Sequence, residues 1–405
     1  MEEDKRPLPE GWRWVRLGDV CDRIDYGFTA SADFSIGEPR FLRITDIQKG
    51  FVNWKTVPGC KITTEEEAAN ILGDGDIVFA RTGATTGKSF LIQRPPRAVF
   101  ASYLIRLRLK SDVIPSFIYG FFQSEDYWNQ IRANARGGAQ PNVNATLLSE
   151  IALPLPPLEE QKRIAAILNE QIAAVERARA AAETQLEAAK ALPAAYLRAV
   201  FSSPEAQKWT RKRLDDVSKL LPSKSIATDG DAEVQAITTA CLSEGGFLAD
   251  GIKTARMSSK GVAECTLVRG EILVARSNTP ELVGRVAMFP GEPKGAVASD
   301  LTIRIWPMND ITAEFLTAYL SFLYQTGYWK ERAGGASGSM KKITREQIQA
   351  QQIPVPDVND QQRIATTLNE HIASAELARK ATEEELDAIN KLPAALLRRA
   401  FAGDL

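Results

Sequence analysis

Two stretches of the chain repeat their apolar positions at spacings of three, four and seven. In the first the positions are Ile164, Leu168, Ile172, Val175, Ala182, Leu186 and Ala189. In the second they are Ile364, Leu368, Ile372, Ala375, Thr382, Leu386 and Ile389. Glu, Lys and Arg fill the positions between, so each stretch predicts a helix with one narrow apolar stripe. Pro154, Pro156 and Pro157 rule out an earlier start, and Glu159 and Glu160 suit a first turn. Asn359 and Asp360 take that part in the second stretch. About 30 residues of helix give a rod of roughly 45 Å. Pro193 and Pro393 are expected to kink each rod or to open a short terminal helix.

The stretches are copies. Residues 154–179 overlay 354–379 without a gap at an offset of 200, with about half the positions identical, and LPAAYLRAVF (192–201) overlays LPAALLRRAF (392–401). Upstream the copying loosens: WVRLGDV (14–20) against RKRLDDV (211–217), GDIVFARTG (75–83) against GEILVARSN (270–278), and ASYLIRLRL (101–109) against ASDLTIRIW (298–306). Tyr127-Trp128 and Tyr328-Trp329 follow similar helical stretches. The chain is therefore a doubled unit of globular domain and rod. We divide it into globular domains at 1–150 and 203–350 and helical spacers at 151–202 and 351–405.

Ile164, Leu168, Ile172 and Leu186 are expected to pair with Ile364, Leu368, Ile372 and Leu386 in an antiparallel coiled coil about a pseudo-twofold axis, with the domains at its opposite ends. The alternative is that each helix packs only onto its own domain. FLRITDI (41–47), DIVFAR (76–81), SFLI (89–92) and YLIRLRL (103–109) read as strands; 116–135 and 311–333 read as helices. The fold class is α+β, two β-rich domains joined by two long helices.

Composition adds exclusions. The 405 residues are 44% apolar and 25% charged, an ordinary globular profile. The single histidine, His371, and four scattered cysteines leave no metal site and no histidine-based catalytic constellation. No apolar run reaches the roughly 18 residues of a membrane span, and MEEDKRPLPEGW has no secretory character, so a cytoplasmic protein is expected. Net charge is −1, but residues 11–150 carry 17 basic and 15 acidic groups and residues 203–350 carry 19 and 17. Two faintly basic domains are compatible with DNA without arguing for it.

The doubled layout, the P-L-P-P-L-x-E-Q-x-R-I opening of the rod (154–164) and D-I-V-F-A-R-x-G-A-x-x-G-K (76–88) resemble the specificity subunit of type I restriction-modification systems. The second domain departs from this pattern, reading Arg276-Ser277-Asn278-Thr279-Pro280 without the Gly-x-x-Gly-Lys of the first. The resemblance implies a non-catalytic subunit that binds double-stranded DNA, each domain reading one half of a bipartite target. It implies that the helices dock two modification subunits, which methylate adenine, and that restriction subunits join them. S-adenosylmethionine, ATP and Mg would then act only on those partners, with no cofactor on this chain. The rival reading is a coiled-coil adaptor with two protein-binding domains.

Candidate DNA contacts follow from side-chain chemistry. Arg81, Thr82, Thr85, Thr86 and Lys88 offer donors from one loop, Arg reaching phosphate or forking onto guanine. A solvated turn is the plainer reading of the same loop. It is not a phosphate-binding loop of nucleotide enzymes, since only three residues separate Gly83 from Gly87. Arg136, Gln140, Asn142 and Asn144 form a second stretch whose amides suit adenine, or else a flexible polar connector. In the second domain the counterparts are Arg276, Ser277, Asn278 and Thr279, and Lys341 with Lys342. Glu292-Pro293-Lys294 imitates the end of a nuclease motif, but its proline argues against the strand such a site needs.

Overall fold

The computed structural model describes residues 7–48, 50–83, 85–134, 143–226, 230–308, 310–337 and 339–405. Contacts divide the chain into two compact units, Met1–Ala181 with Leu386–Leu405, and Ala182–Glu385. Each unit thus holds one globular region and a stretch of each long helix.

In the first unit Cys21–Tyr26, Leu104–Leu109, Ile77–Ala80 and Ser89–Leu91 form an antiparallel sheet in that spatial order. In the second, Ser218–Leu221, Thr302–Pro307, Ile272–Ala275 and Val286–Met288 form a sheet of the same order and direction. A smaller sheet is also repeated. Ala98–Phe100 runs parallel to Arg40–Leu42, and Val297–Ala298 runs parallel to Ala232–Ile237. Each region is closed by pairing its first strand with the strand that enters its rod, Arg13–Arg16 with Ala152–Leu155 and Arg211–Arg213 with Gln352–Pro354. The doubling that loosens in sequence persists in the strand order of the main sheet and in the parallel pair of the smaller one.

The central strands are buried on both faces, so Ile77–Ala80 and Ile272–Ala275 read as continuous apolar runs rather than alternating ones. FLRITDI is not one strand. Asp46 accepts from the Arg43 backbone N–H (2.9 Å) and pairs with its guanidinium, which folds Ile44–Asp46 into a 3₁₀ turn between Arg40–Leu42 and Ile47–Gln48. The two expected helices are also divided. Ser124 turns the chain between Pro115–Phe121 and Glu125–Asn134, and Gly327, at φ 75°, does so between Ala313–Gln325 and Tyr328–Arg332.

The rods are longer than the periodicity alone indicates. They run Leu158–Phe201 and Val358–Ala402, 44 and 45 residues, or about 66 Å each. Helix continues through Pro193 and Pro393. Proline forfeits one backbone bond, but Ala189, Leu197 and Phe201 flank the first and are buried, as Ile389, Leu397 and Phe401 are around the second. The two helices pack antiparallel.

The start of each rod is fixed by the motif glutamine. Gln161 is buried; its amide donates to the Pro156 carbonyl (2.9 Å) and accepts from the Ile114 N–H (2.9 Å). Gln361 does the same with Pro356 (2.9 Å) and Thr312 (2.8 Å). Each rod is thereby tied to the first turn of its region's own helix.

Candidate nucleic-acid interface

Each candidate loop leaves the end of a central strand, and a buried arginine anchors the frame beneath. Arg106 is fully buried, donating to Asp25 (2.6 and 3.0 Å) and to the carbonyls of Ile71 (2.7 Å) and Ala69 (3.1 Å). Asp76 lies 3.9 Å away and is paired with Arg108 at 2.7 Å. At the matching position Arg304 forks onto Glu271 (2.8 and 2.9 Å) and donates to the carbonyls of Pro222, Glu264 and Thr266. Every donor of a buried guanidinium needs an acceptor, and both regions supply carboxylate plus helix-end carbonyls.

Arg81 and Arg276 stand at the loop bases in equivalent hydrogen-bond settings. Their N–H groups donate to Tyr103 (3.1 Å) and Leu301 (2.8 Å), and their carbonyls accept from Val143 (3.1 Å) and Ile343 (2.8 Å). The Arg81 guanidinium lies 5.0 Å from the centre of the Tyr26 ring, and the Tyr26 hydroxyl accepts from the Ala145 N–H (3.1 Å). The strand Ile77–Ala80 is followed in the chain by the strand Ser89–Leu91 rather than by a helix. Thr86 donates its hydroxyl to the Gly83 carbonyl (2.7 Å), Thr85 is half-buried, and Thr82 and Lys88 are exposed.

The glycine that ends this turn has a counterpart that the sequence conceals. Gly87 and Gly284 both adopt the left-handed conformation, at φ 81° and 84°, and donate to the equivalent carbonyls of Ala80 and Ala275. Lys88 is therefore matched by Arg285, so the second region does have a glycine followed by a cation. Its loop is two residues longer, which hides the match from a gap-free alignment. Aromatic residues press on both glycines: a Cβ on Gly87 would lie 3.2 Å from Trp128, and one on Gly284 only 2.4 Å from Trp329. Tyr127 donates to the Gly87 carbonyl (2.6 Å), and burial pushes its pKa up, so it remains a protonated donor. Arg285 is held by the Tyr324 hydroxyl (3.3 Å) and the Leu242 carbonyl (3.2 Å), whereas Lys88 extends into solvent.

The second region brings its two candidate stretches together. Ser277–Asn278 pairs with Met340–Lys342, Ser277 opposite Lys342 and Asn278 opposite Lys341, and Gly334–Ser337 adds a third strand. Thr279 follows, its N–H donating to the Asn278 side chain (2.9 Å). In the first region Arg136, Gln140 and Asn142 lie outside the described residues. Asn144 caps the helix Ala145–Glu150, accepting from the Leu147 N–H (2.8 Å), as Thr344 caps Arg345–Gln349. Its side-chain carbonyl is thus engaged in the fold, a use legible in the Asn-Ala-Thr-Leu-Leu pattern of a helix start.

The stripe residues divide by position. Ile164 and Leu168 enter the first region's core with Phe117, Phe121, Leu397 and Phe401. Ile364 and Leu368 enter the second's with Leu197, Phe201 and Phe315. Ile172 and Ile372 pack at the edges of these cores, while Leu186 and Leu386 are half-buried. His371 rests on the Tyr196 ring, centroids 4.8 Å apart. Glu292 to Lys294 lie in a loop between Val286–Met288 and Val297–Ala298. Among the described residues no cluster of His, Cys, Asp or Glu is placed to hold a metal, and no helix is long and apolar enough to cross a membrane. The four cysteines are buried and unpaired, and burial pushes the Cys21 thiol up to about 12.

This doubled α+β architecture on paired antiparallel helices is the one that the comparisons match. Residues 9–186 and 206–388 match the type I restriction modification DNA specificity domain, and the chain belongs to that family. It is a type I restriction-modification specificity subunit, the part that confers DNA target specificity and is itself non-catalytic. It is 23% identical to the type I restriction enzyme StySPI specificity subunit of Salmonella potsdam over 98% of this chain and 90% of that one. Identity to the EcoKI specificity subunit of Escherichia coli K12 is also 23%, with the same coverage. The HsdS subunit from Thermoanaerobacter tengcongensis shares the fold, with a TM-score of 0.63, 21% identity and complete coverage of both chains. A chain from a structure of type I complex assembly and conformational transition matches at 0.69, with 21% identity over 99% of this chain and all of that one.

Proposed function

We propose that the globular regions, 1–150 and 203–350, each read one half of a bipartite duplex target. The helices, 151–202 and 351–405, set the spacing and dock two modification subunits in the cytoplasm, and restriction subunits join that assembly. S-adenosylmethionine, ATP and Mg act on those partners and none binds this chain. The observation that carries this reading is the contrast between one repeated frame and two unlike loops upon it. The strand order, the buried arginine and the loop-closing glycine recur, while 81–88 and 276–285 differ in length and side chains. Two readers built alike but presenting different donors suit a target with two dissimilar halves.

Footprinting of the full chain assembled with its modification subunits tests this. Two protected segments separated by an unspecified spacer are expected, and replacing loop 81–88 should abolish sequence preference in only one. A single continuous preferred segment would overturn the bipartite reading.

A further inference from the structure

We infer that Arg81 and Arg276 are a matched pair of phosphate anchors, one for each region, that hold the duplex without reading its sequence. This rests on the bipartite reading and adds a division of labour to it. Three observations carry it.

The first is equivalence. Among the candidate side chains, Arg81 and Arg276 share both residue type and backbone setting, with N–H and carbonyl bound to the same two neighbouring segments. A feature common to both readers cannot encode the difference between their half-sites. It suits what the half-sites share, which is the sugar–phosphate chain.

The second is the state of the guanidinium groups. In both residues the Nε is buried and has no hydrogen-bond partner among the described residues. Neither arginine forms an ion pair there within 4 Å, although the charge of Arg276, after hydrogen bonds from the Glu346 backbone and from Thr344, helps to hold the Glu346 carboxyl below its usual range. Arg81 is steadied by the Tyr26 ring, and Arg276 by one long bond from a terminal nitrogen to the Asp300 carbonyl (3.4 Å). Arg106 and Arg304, by contrast, have carboxylates and carbonyls around their donors. The fold satisfies one arginine in each region and leaves the other short of an acceptor. The guanidinium groups are thus incompletely bonded within the fold; the buried Nε is closed to an outside ligand, so the terminal nitrogens are what a phosphate oxygen would meet.

The third is the surroundings. The carbonyls that hold Arg81 and Arg276 belong to Tyr103 and Leu301, large apolar side chains that are 65% and 47% exposed. Both segments therefore lie at the surface, where a duplex can approach the loop bases. Rigid backbone on both sides also favours an anchor over an adaptable reading loop.

The test uses the full chain assembled with its modification subunits, on a cognate duplex and on duplexes with either half-site scrambled, over a range of salt. R81A and R276A should each weaken binding to every duplex by the same factor, roughly tenfold at 0.1 M salt, and lower the salt slope by about one. The methylated sequence should be unchanged. R81K and R276K, which keep the charge, should restore most of the binding and the slope, and they carry the test if the alanine variants lose the fold. Broadened preference at one target position, with binding to scrambled duplexes intact, would overturn the anchor assignment in favour of base reading. Unchanged affinity and slope would overturn it in favour of a structural role. Failure of the bipartite reading shows separately, as unmutated protein binding cognate and half-scrambled duplexes equally.

Discussion

The two globular regions solve the same buried-charge problem with different residues. In the first, Arg106 and Arg108 share Asp25 and Asp76, and Arg23 also pairs with Asp25, a cluster of three cations and two anions. In the second, Glu271 alone balances Arg304, Leu221 and Trp306 stand where the first region has Asp25 and Arg108, and backbone carbonyls complete the set. What persists is an arginine with its donors occupied and its charge neutralised. Which residues do so is free to drift. The same holds one layer up, where a left-handed glycine closes both loops although neither its distance from the preceding arginine nor the residues between are preserved.

The sharpest way to break this comparison is to remove the buried arginines. Arg304→Met leaves Glu271, 1% exposed, with no cation among the described residues, and should cost about 3–5 kcal/mol. Arg106→Met should cost less by at least about 1 kcal/mol, because Asp76 keeps Arg108 and Asp25 keeps Arg23 at 3.0 Å. Urea unfolding followed by hydrogen exchange, which assigns the loss to a region, checks the order.

Next come the matched leucines of the rods. Leu168→Ala and Leu368→Ala should each cost about 2–5 kcal/mol, since both leucines are buried in the cores that fix their helices. Equal losses in denaturant midpoint support equivalent roles. A loss confined to one would show that only that rod is held by its region's core.

The loop glycines should separate the regions again. Alanine at either position meets the left-handed penalty of about 1–2 kcal/mol. Gly284→Ala also drives a methyl into Trp329, whereas Gly87→Ala meets the Trp128 ring at 3.2 Å, so the former should lower Tm further. The smallest effect belongs to the caps. Asn144→Ala and Thr344→Ala should each cost about 1 kcal/mol, and Asn144→Asp should keep both stability and target if Asn144 serves only as a cap.

The scaffold was more legible in the sequence than the loops, for a physical reason. Rod residues face a fixed geometry every three or four positions, so substitutions that keep the stripe keep the alignment, and the offset of 200 survives. The central strands were readable as apolar runs for the same reason. Loop closure is set by one glycine and two backbone bonds, which tolerate insertions between them, and so the match of Gly284-Arg285 to Gly87-Lys88 appears only in three dimensions. Asn144 is ambiguous in the sequence because amides serve both caps and bases, and only the helix that begins there shows the cap. The full length of the rods is less legible, because the apolar residues that flank each proline are buried by tertiary packing that local pattern does not express. The pairing of Ser277–Asn278 with Met340–Lys342 joins segments more than 60 residues apart and carries no sequence signal of its own.

If one repeated frame carries two independently variable readers, the two halves of the target can be changed one at a time. The most direct measurement replaces residues 11–150 with the same region of a family relative and maps methylated sites in cells that also supply the modification subunit. One half of the target should change while the other half and the spacer persist, because the second region and both rods are untouched. A target whose two halves change together would contradict that independence.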